Sequence, residues 1–128
     1  MDSQRVLQVG IDPTVVDFSA WPGQSADTLN SRIVAAETDL RREGFAVIPC
    51  LVPNDPPTGA ERAVREALTD QRYDVIEIGS GLRASHDYTP PVFERVVNTI
   101  IALQPGTPLC FNDSPETTLD AVRRVLRR

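Results

Sequence analysis

Phe45-Ala46-Val47-Ile48-Pro49-Cys50-Leu51-Val52 is the stretch on which the fold turns. It is a run of strand-forming apolar residues interrupted by one proline. Proline has no N–H to donate to a ladder, so a strand that contains one belongs at the edge of a sheet. Three runs of the same character accompany it: Arg5–Ile11, Tyr73–Gly79 and Pro108–Asn112. Between them lie segments with helical spacing. Strands alternating with helices in this way predict a parallel sheet covered on both faces.

The first helical segment begins at about Ser25 or Asp27 and ends at Glu43, with Leu29, Ile33, Ala36 and Leu40 as its buried stripe. Gly44 then occupies the position that favours a left-handed residue. The second opens with Thr58-Gly59-Ala60-Glu61, a capping-box pattern, and turns Ala63, Val64, Ala67 and Leu68 inward. The third starts near Thr89 with Pro90 at its first helical position and carries Val92, Phe93, Val96, Val97, Ile100, Ile101 and Leu103. The fourth is capped by Ser114 and buries Leu119, Val122, Val125 and Leu126. Right-handed crossovers with the proline strand at the edge leave one economical order, 2-1-3-4. The predicted fold is therefore a three-layer α/β sandwich with a four-stranded parallel sheet and four helices, the flavodoxin-like arrangement. Helices one and four share one face, helices two and three the other. The connectivity reverses between strands one and three, where such sheets bind ligands. Asp12 and Gly79-Ser80-Gly81 are expected to face each other there.

The 128 residues make a single domain, and contents of 41% hydrophobic and 24% charged residues are ordinary for a globular chain. No apolar stretch approaches the ~20 residues that span a bilayer. Met1-Asp2-Ser3-Gln4 lacks the basic-then-apolar pattern of a signal peptide, so a cytoplasmic location is expected, with Cys50 and Cys110 as reduced thiols buried in strands. A net charge of −5 disfavours nucleic acid as a partner. All thirteen basic side chains are arginine. Without lysine there is no Schiff-base chemistry, no lysine base and no P-loop lysine. With one histidine and no metal-like cysteine spacing, neither a metal site nor a cofactor is expected.

The loop from Gly79 to Asp87 carries most of the candidate chemistry. Gly79, Ser80 and Gly81 can bring backbone amides close to an anion, and Arg83 can clamp a carboxylate or phosphate. Glycines also punctuate ordinary turns, and the dinucleotide fingerprint is incomplete. Asp12 ends the first strand, either to meet a ligand or to cap local amides. The long segment from Asp12 to Gln24, with Phe18 and Trp21, reads as a lid or as a fixed plug over the end of the core. Glu77 is the odd residue, because a strand covered on both faces should be apolar; it is either paired or a functional base. Gln8 poses the same question, and whether the two share a face depends on register. His86, followed by Asp87, can shuttle protons near neutral pH or simply sit on the surface. Asn112 and Asp113 close the fourth strand beside the same sheet edge. Gly79-Ser80-Gly81 is too short for a nucleophile elbow, and neither cysteine has a phosphatase-like setting. The paired apolar positions of the third helix suggest a homodimer surface through Val92, Val96 and Ile100.

Tyr73-Asp74-Val75-Ile76-Glu77-Ile78 resembles the third strand of response-regulator receiver domains. The resemblance puts Gly79 where that family has its phosphoacceptor aspartate, and the family's lysine and fifth strand are missing, so it implies at most a pseudo-receiver. The segments 10–19, 75–83, 93–98 and 111–115 resemble a group of uncharacterised small bacterial α/β proteins, flavodoxin-like or Rossmann-like. That resemblance implies a fold and no activity. Three expectations follow from the residues themselves. The first is a regulatory or binding module holding a small anionic ligand through Asp12, Gly79, Ser80, Gly81, Arg83, Asn112 and Asp113. The second is a small metal-independent isomerase, lyase or hydrolase in which Asp12, Glu77 or His86 moves protons. The third is a protein-interaction domain that uses the third helix.

Overall fold

A computed structural model of the chain describes residues 3–83 and 89–126. The strands are β1 (Arg5–Ile11), β2 (Ala46–Val52), β3 (Val75–Ile78) and β4 (Leu109–Phe111). The helices are α1 (Ala26–Arg42), α2 (Pro57–Asp70), α3 (Pro90–Leu103) and α4 (Thr118–Leu126). Short 3-10 turns at Pro13–Val15, Ser80–Leu82 and Pro115–Thr117 follow β1, β3 and β4. The sheet is parallel throughout and ordered β2-β1-β3-β4. Pro49 therefore lies on an edge strand, as its missing N–H demands. The architecture is the three-layer flavodoxin-like sandwich expected from the alternation.

Side chains on a strand alternate between faces, and here the alternation separates two cores. Leu7, Val9, Ile11, Ile76 and Ile78 pack with Ala60, Val64 and Leu68 of α2 and with Val92, Val96 and Ile100 of α3. On the opposite face Val6, Val47, Val75 and Cys110 pack with Leu40 of α1, Phe45, and Ala121 and Val122 of α4. Both cysteines are free and buried. Burial pushes the Cys50 thiol up to about 11 and that of Cys110 to about 12, so both stay protonated.

Helix boundaries follow local chemistry, with one correction. Ser25 caps α1 in a reciprocal box with Thr28, and Gly44 takes φ +93° just beyond the helix. The box expected from Thr58 to Glu61 does not form: α2 already begins at Pro57, with Pro56 as its cap. Glu61 instead reaches Arg65 and, across on α3, Arg95. The third helix brings a second correction. Val92, Val96 and Ile100 are 2%, 0% and 1% exposed and lie in the core, so they cannot form a dimer surface. The apolar stripe is wide because α3 meets α2 and also packs into the core with the strand residues Leu7, Val9, Ile76 and Ile78; Phe93, Val97 and Leu103 pack against the same core, and Ile101 is the position left at the surface.

Candidate functional site

The parallel register decides which polar side chains meet. Gln8 of β1 pairs with Glu77 of β3, and Gln8 also pairs with Pro49 while Glu77 pairs with Cys110. One row of the sheet, on the face of α1 and α4, thus reads Pro49-Gln8-Glu77-Cys110. Below it, Val47, Val6 and Val75 fill the second core. Above it stand Gly10 and Gly79, which have no side chains. A Cβ added to Gly10 would meet nothing within 4 Å. The helices do not fill this upper half of the face, and a cavity of about 200 Å³ opens there.

Gln8, Gly10, Glu77 and Gly79 border the cavity from the sheet, together with Pro49 and Leu51 of the edge strand. Leu29, Arg32 and Ile33 of α1 form one wall, and Asn112 to Pro115 with Thr118 form the opposite one. Val16 and Trp21 come from the segment after β1. That segment is therefore part of the wall: Pro13 is buried, Val16 packs on the first core, and turns close from Phe18 to Trp21 and from Trp21 to Gln24. Phe18 is not among the lining residues.

Glu77 is 1% exposed and Gln8 6%. Among the described residues, Oε1 of each has no hydrogen-bond partner. Gln8 Nε2 donates to the Ile33 carbonyl at 3.4 Å, which leaves the amide oxygen as the unmet group. Burial lifts the Glu77 carboxyl to about 8, and the positive charge of Arg83 moderates the rise. Glu77 is thus a predominantly neutral acid near pH 7.

The residues expected to greet an anion are mostly engaged elsewhere. Gly79 N–H donates to the Val9 carbonyl at 2.8 Å, and Ser80 N–H to Asn112 Oδ1 at 2.8 Å. Gly79, Ser80 and Gly81 do line the cavity, and a Cβ on Gly81 would lie 2.6 Å from Ile11 Cγ2, so this glycine also lets the neighbouring strand approach. Arg83 does not line the cavity; its guanidinium donates to the Asn112 carbonyl and lies 5.5 Å from the centre of the Phe111 ring. Asp12 caps the turn that follows it, accepting from Thr14 N–H at 2.9 Å and from its hydroxyl at 2.8 Å, and it too stands outside the cavity. Asn112 is buried and latches the site, because its Nδ2 also donates to Thr118 Oγ1 at 2.9 Å. Asp113 is exposed at the rim. His86 and Asp87 lie outside the described residues.

No protein-family model matches the chain, and no curated protein does. The structure adds residues that the motifs did not single out. Arg32 lines the cavity and forms a two-pronged pair with Glu116, Nε to Oε2 at 2.8 Å and Nη2 to Oε1 at 2.7 Å. Hydrogen bonding to Arg32 holds the Glu116 carboxyl down at about 2. The pair ties α1 to the turn that opens α4. Leu29 and Ile33 belong to the apolar stripe of α1, whose lower members, Ala36 and Leu40, are buried. Nothing in a periodic stripe distinguishes residues that fill a core from residues that line a hollow. Among the described residues no group of three or more potential metal ligands comes together.

Proposed function

We propose that the protein is a small-molecule binding module whose site is the cavity over the C-terminal halves of β1 and β3. One observation carries the reading: two buried side chains, Gln8 and Glu77, border a cavity with one oxygen each unpaired among the described residues. An unpaired buried polar atom costs about 1–3 kcal/mol, and interiors close-pack where nothing needs the space. A ligand at this end of the sheet supplies the missing partners. Location and chemistry therefore agree with the general rule for open parallel α/β sheets.

The test uses the single tryptophan, which lies on the cavity wall. Trp21 fluorescence and thermal shift against a fragment set covering acids, amines and amides should yield binders. Gly10→Leu projects a side chain into the open space and should abolish them while the protein stays folded. Fragments that bind the variant as well as the parent, or no binders at all, refute the site.

A second reading is favoured by Glu77 in particular. A carboxyl poised near 8 inside a cavity is suited to proton transfer at neutral pH. In an enzyme of that kind Glu77 would be the acid or base, and its turnover would titrate with that group. Binding without turnover assigns the module reading instead.

A further inference from the structure

We infer that the cavity receives the protonated nitrogen of a small amphipathic amine, with Gln8 Oε1 and Glu77 as its acceptors. This rests on the binding reading above and specifies the ligand's chemistry. Of the four buried side-chain atoms without a partner among the described residues, the two on cavity-lining residues are both oxygens, on residues paired across β1 and β3. Gln8 cannot turn its amide to offer N–H without leaving the Ile33 carbonyl. Once Glu77 is ionised, a ligand that answers both must donate. A neutral amide donates too, but it brings a carbonyl that needs a donor in return. An ammonium has three donors and no acceptor.

The surroundings disfavour an anion at the same place. Arg32 is the cationic side chain lining the cavity among the described residues, and Glu116 already takes its fork. The amides of Gly79 and Ser80 are spent on Val9 and Asn112. The acidic residues on the lining are Glu77 and, at the rim, Asp113. For the body of the ligand, Leu29, Ile33, Leu51 and Trp21 offer apolar contact. A cavity of roughly 150 Å³ takes benzene, so about 200 Å³ suits one ring with a short substituent.

Binding is coupled to a proton. Glu77, raised to about 8 by burial, must ionise to meet the ammonium, and the incoming charge drives that ionisation. Among the described residues, the other charged and thiol groups near it each have a separate setting. Arg83 and Arg124 are cations bonded to the carbonyls of Asn112 and Phe111, Arg32 is paired with Glu116, and the Cys110 thiol stays protonated. Asp113 at the rim is exposed.

The experiment is calorimetric titration with three single-ring probes: benzylamine, benzoate and benzamide. Benzylamine should bind, with affinity rising about tenfold per pH unit from about pH 6 toward 8 and levelling above. Glu77→Gln should lose that rise and bind at least about tenfold more weakly at the alkaline end. Gln8→Met, which keeps the volume, should weaken binding with the pH dependence intact, and both variants are checked for a single cooperative thermal transition, which shows that they are folded. Preferential binding of benzoate or benzamide, or benzylamine binding without pH dependence, overturns the amine while leaving the site. If none of the three binds but fragments other than amines do, the amine again fails alone. Failure of the whole fragment set, read by Trp21 fluorescence, removes the site and the amine together.

Discussion

At the scale of single residues, Glu77 and the glycines around it make opposite predictions. Glu77 has a carboxyl at about 8 in the folded protein against an ordinary 4.5. Its neutral form is the one the fold favours. The stability associated with it is therefore complete below about pH 4.5 and is lost as pH rises through about 8. Urea unfolding should show stability falling by a few kcal/mol across that window. Glu77→Gln should flatten the dependence and raise stability at about pH 9; a variant that still loses stability with rising pH would show that the dependence lies elsewhere. Gly81→Ala should destabilise by about 1–3 kcal/mol, because its Cβ would meet the stiff, β-branched Ile11 at 2.6 Å. Gly10→Ala, facing open space in a strand, should gain about 0.5 kcal/mol. Denaturant midpoints for the two variants moving in the same direction would contradict the packing described. Glu77 stood out in the sequence because it interrupts an apolar strand. The steric reason for Gly81 did not, since a glycine against a neighbouring strand and a glycine against a ligand are written identically.

At the level of elements, the buried joints are made by amides, while the ion pairs that cross between elements are open to solvent. Gln104, 2% exposed at the end of α3, accepts from Tyr73 N–H at 3.2 Å. It also donates to the carbonyls of Leu68 at 2.9 Å and Gln71 at 2.8 Å. One side chain thus closes the end of α2, the end of α3 and the approach to β3. Gln104→Ala leaves those backbone groups buried and unpaired and should cost about 2–4 kcal/mol in equilibrium unfolding. Asn112 plays the same part between β4, Ser80 and α4, and Asn112→Ala should cost about 1–3 kcal/mol. The Arg32–Glu116 pair also joins two elements, but it is solvent-exposed, and Glu116→Gln should change stability by less than about 1 kcal/mol. A loss at Glu116 exceeding that at Gln104 would reverse this ranking. Helix positions were legible from their periodicity and caps. These joints were not, because Gln104 sits 31 residues from its Tyr73 partner.

At the scale of the whole molecule, the two cysteines report on both faces of the sheet at once. Cys50 belongs to the core under α2 and α3, and Cys110 to the core under α1 and α4. Both thiols are buried and protonated, so a thiol-specific disulfide reagent should react with neither in the folded protein. In mild denaturant both should react together at the rate of global unfolding, as one cooperative unit requires. Early reaction of one cysteine alone would mean that its layer opens separately. The amino-acid sequence by itself determined the parallel sheet, its four helices and the edge place of the proline strand. Those follow from side-chain period, from a missing N–H and from the handedness of crossovers, all of which are local or generic. It took the three-dimensional packing to place Gln8 beside Glu77, to turn Arg83 to the Asn112 carbonyl and Asp12 to Thr14, and to leave the upper sheet face hollow between α1 and α4. Register and packing depend on contacts between residues far apart in the chain, and an apolar stripe carries no mark of whether its neighbour is a side chain or a space.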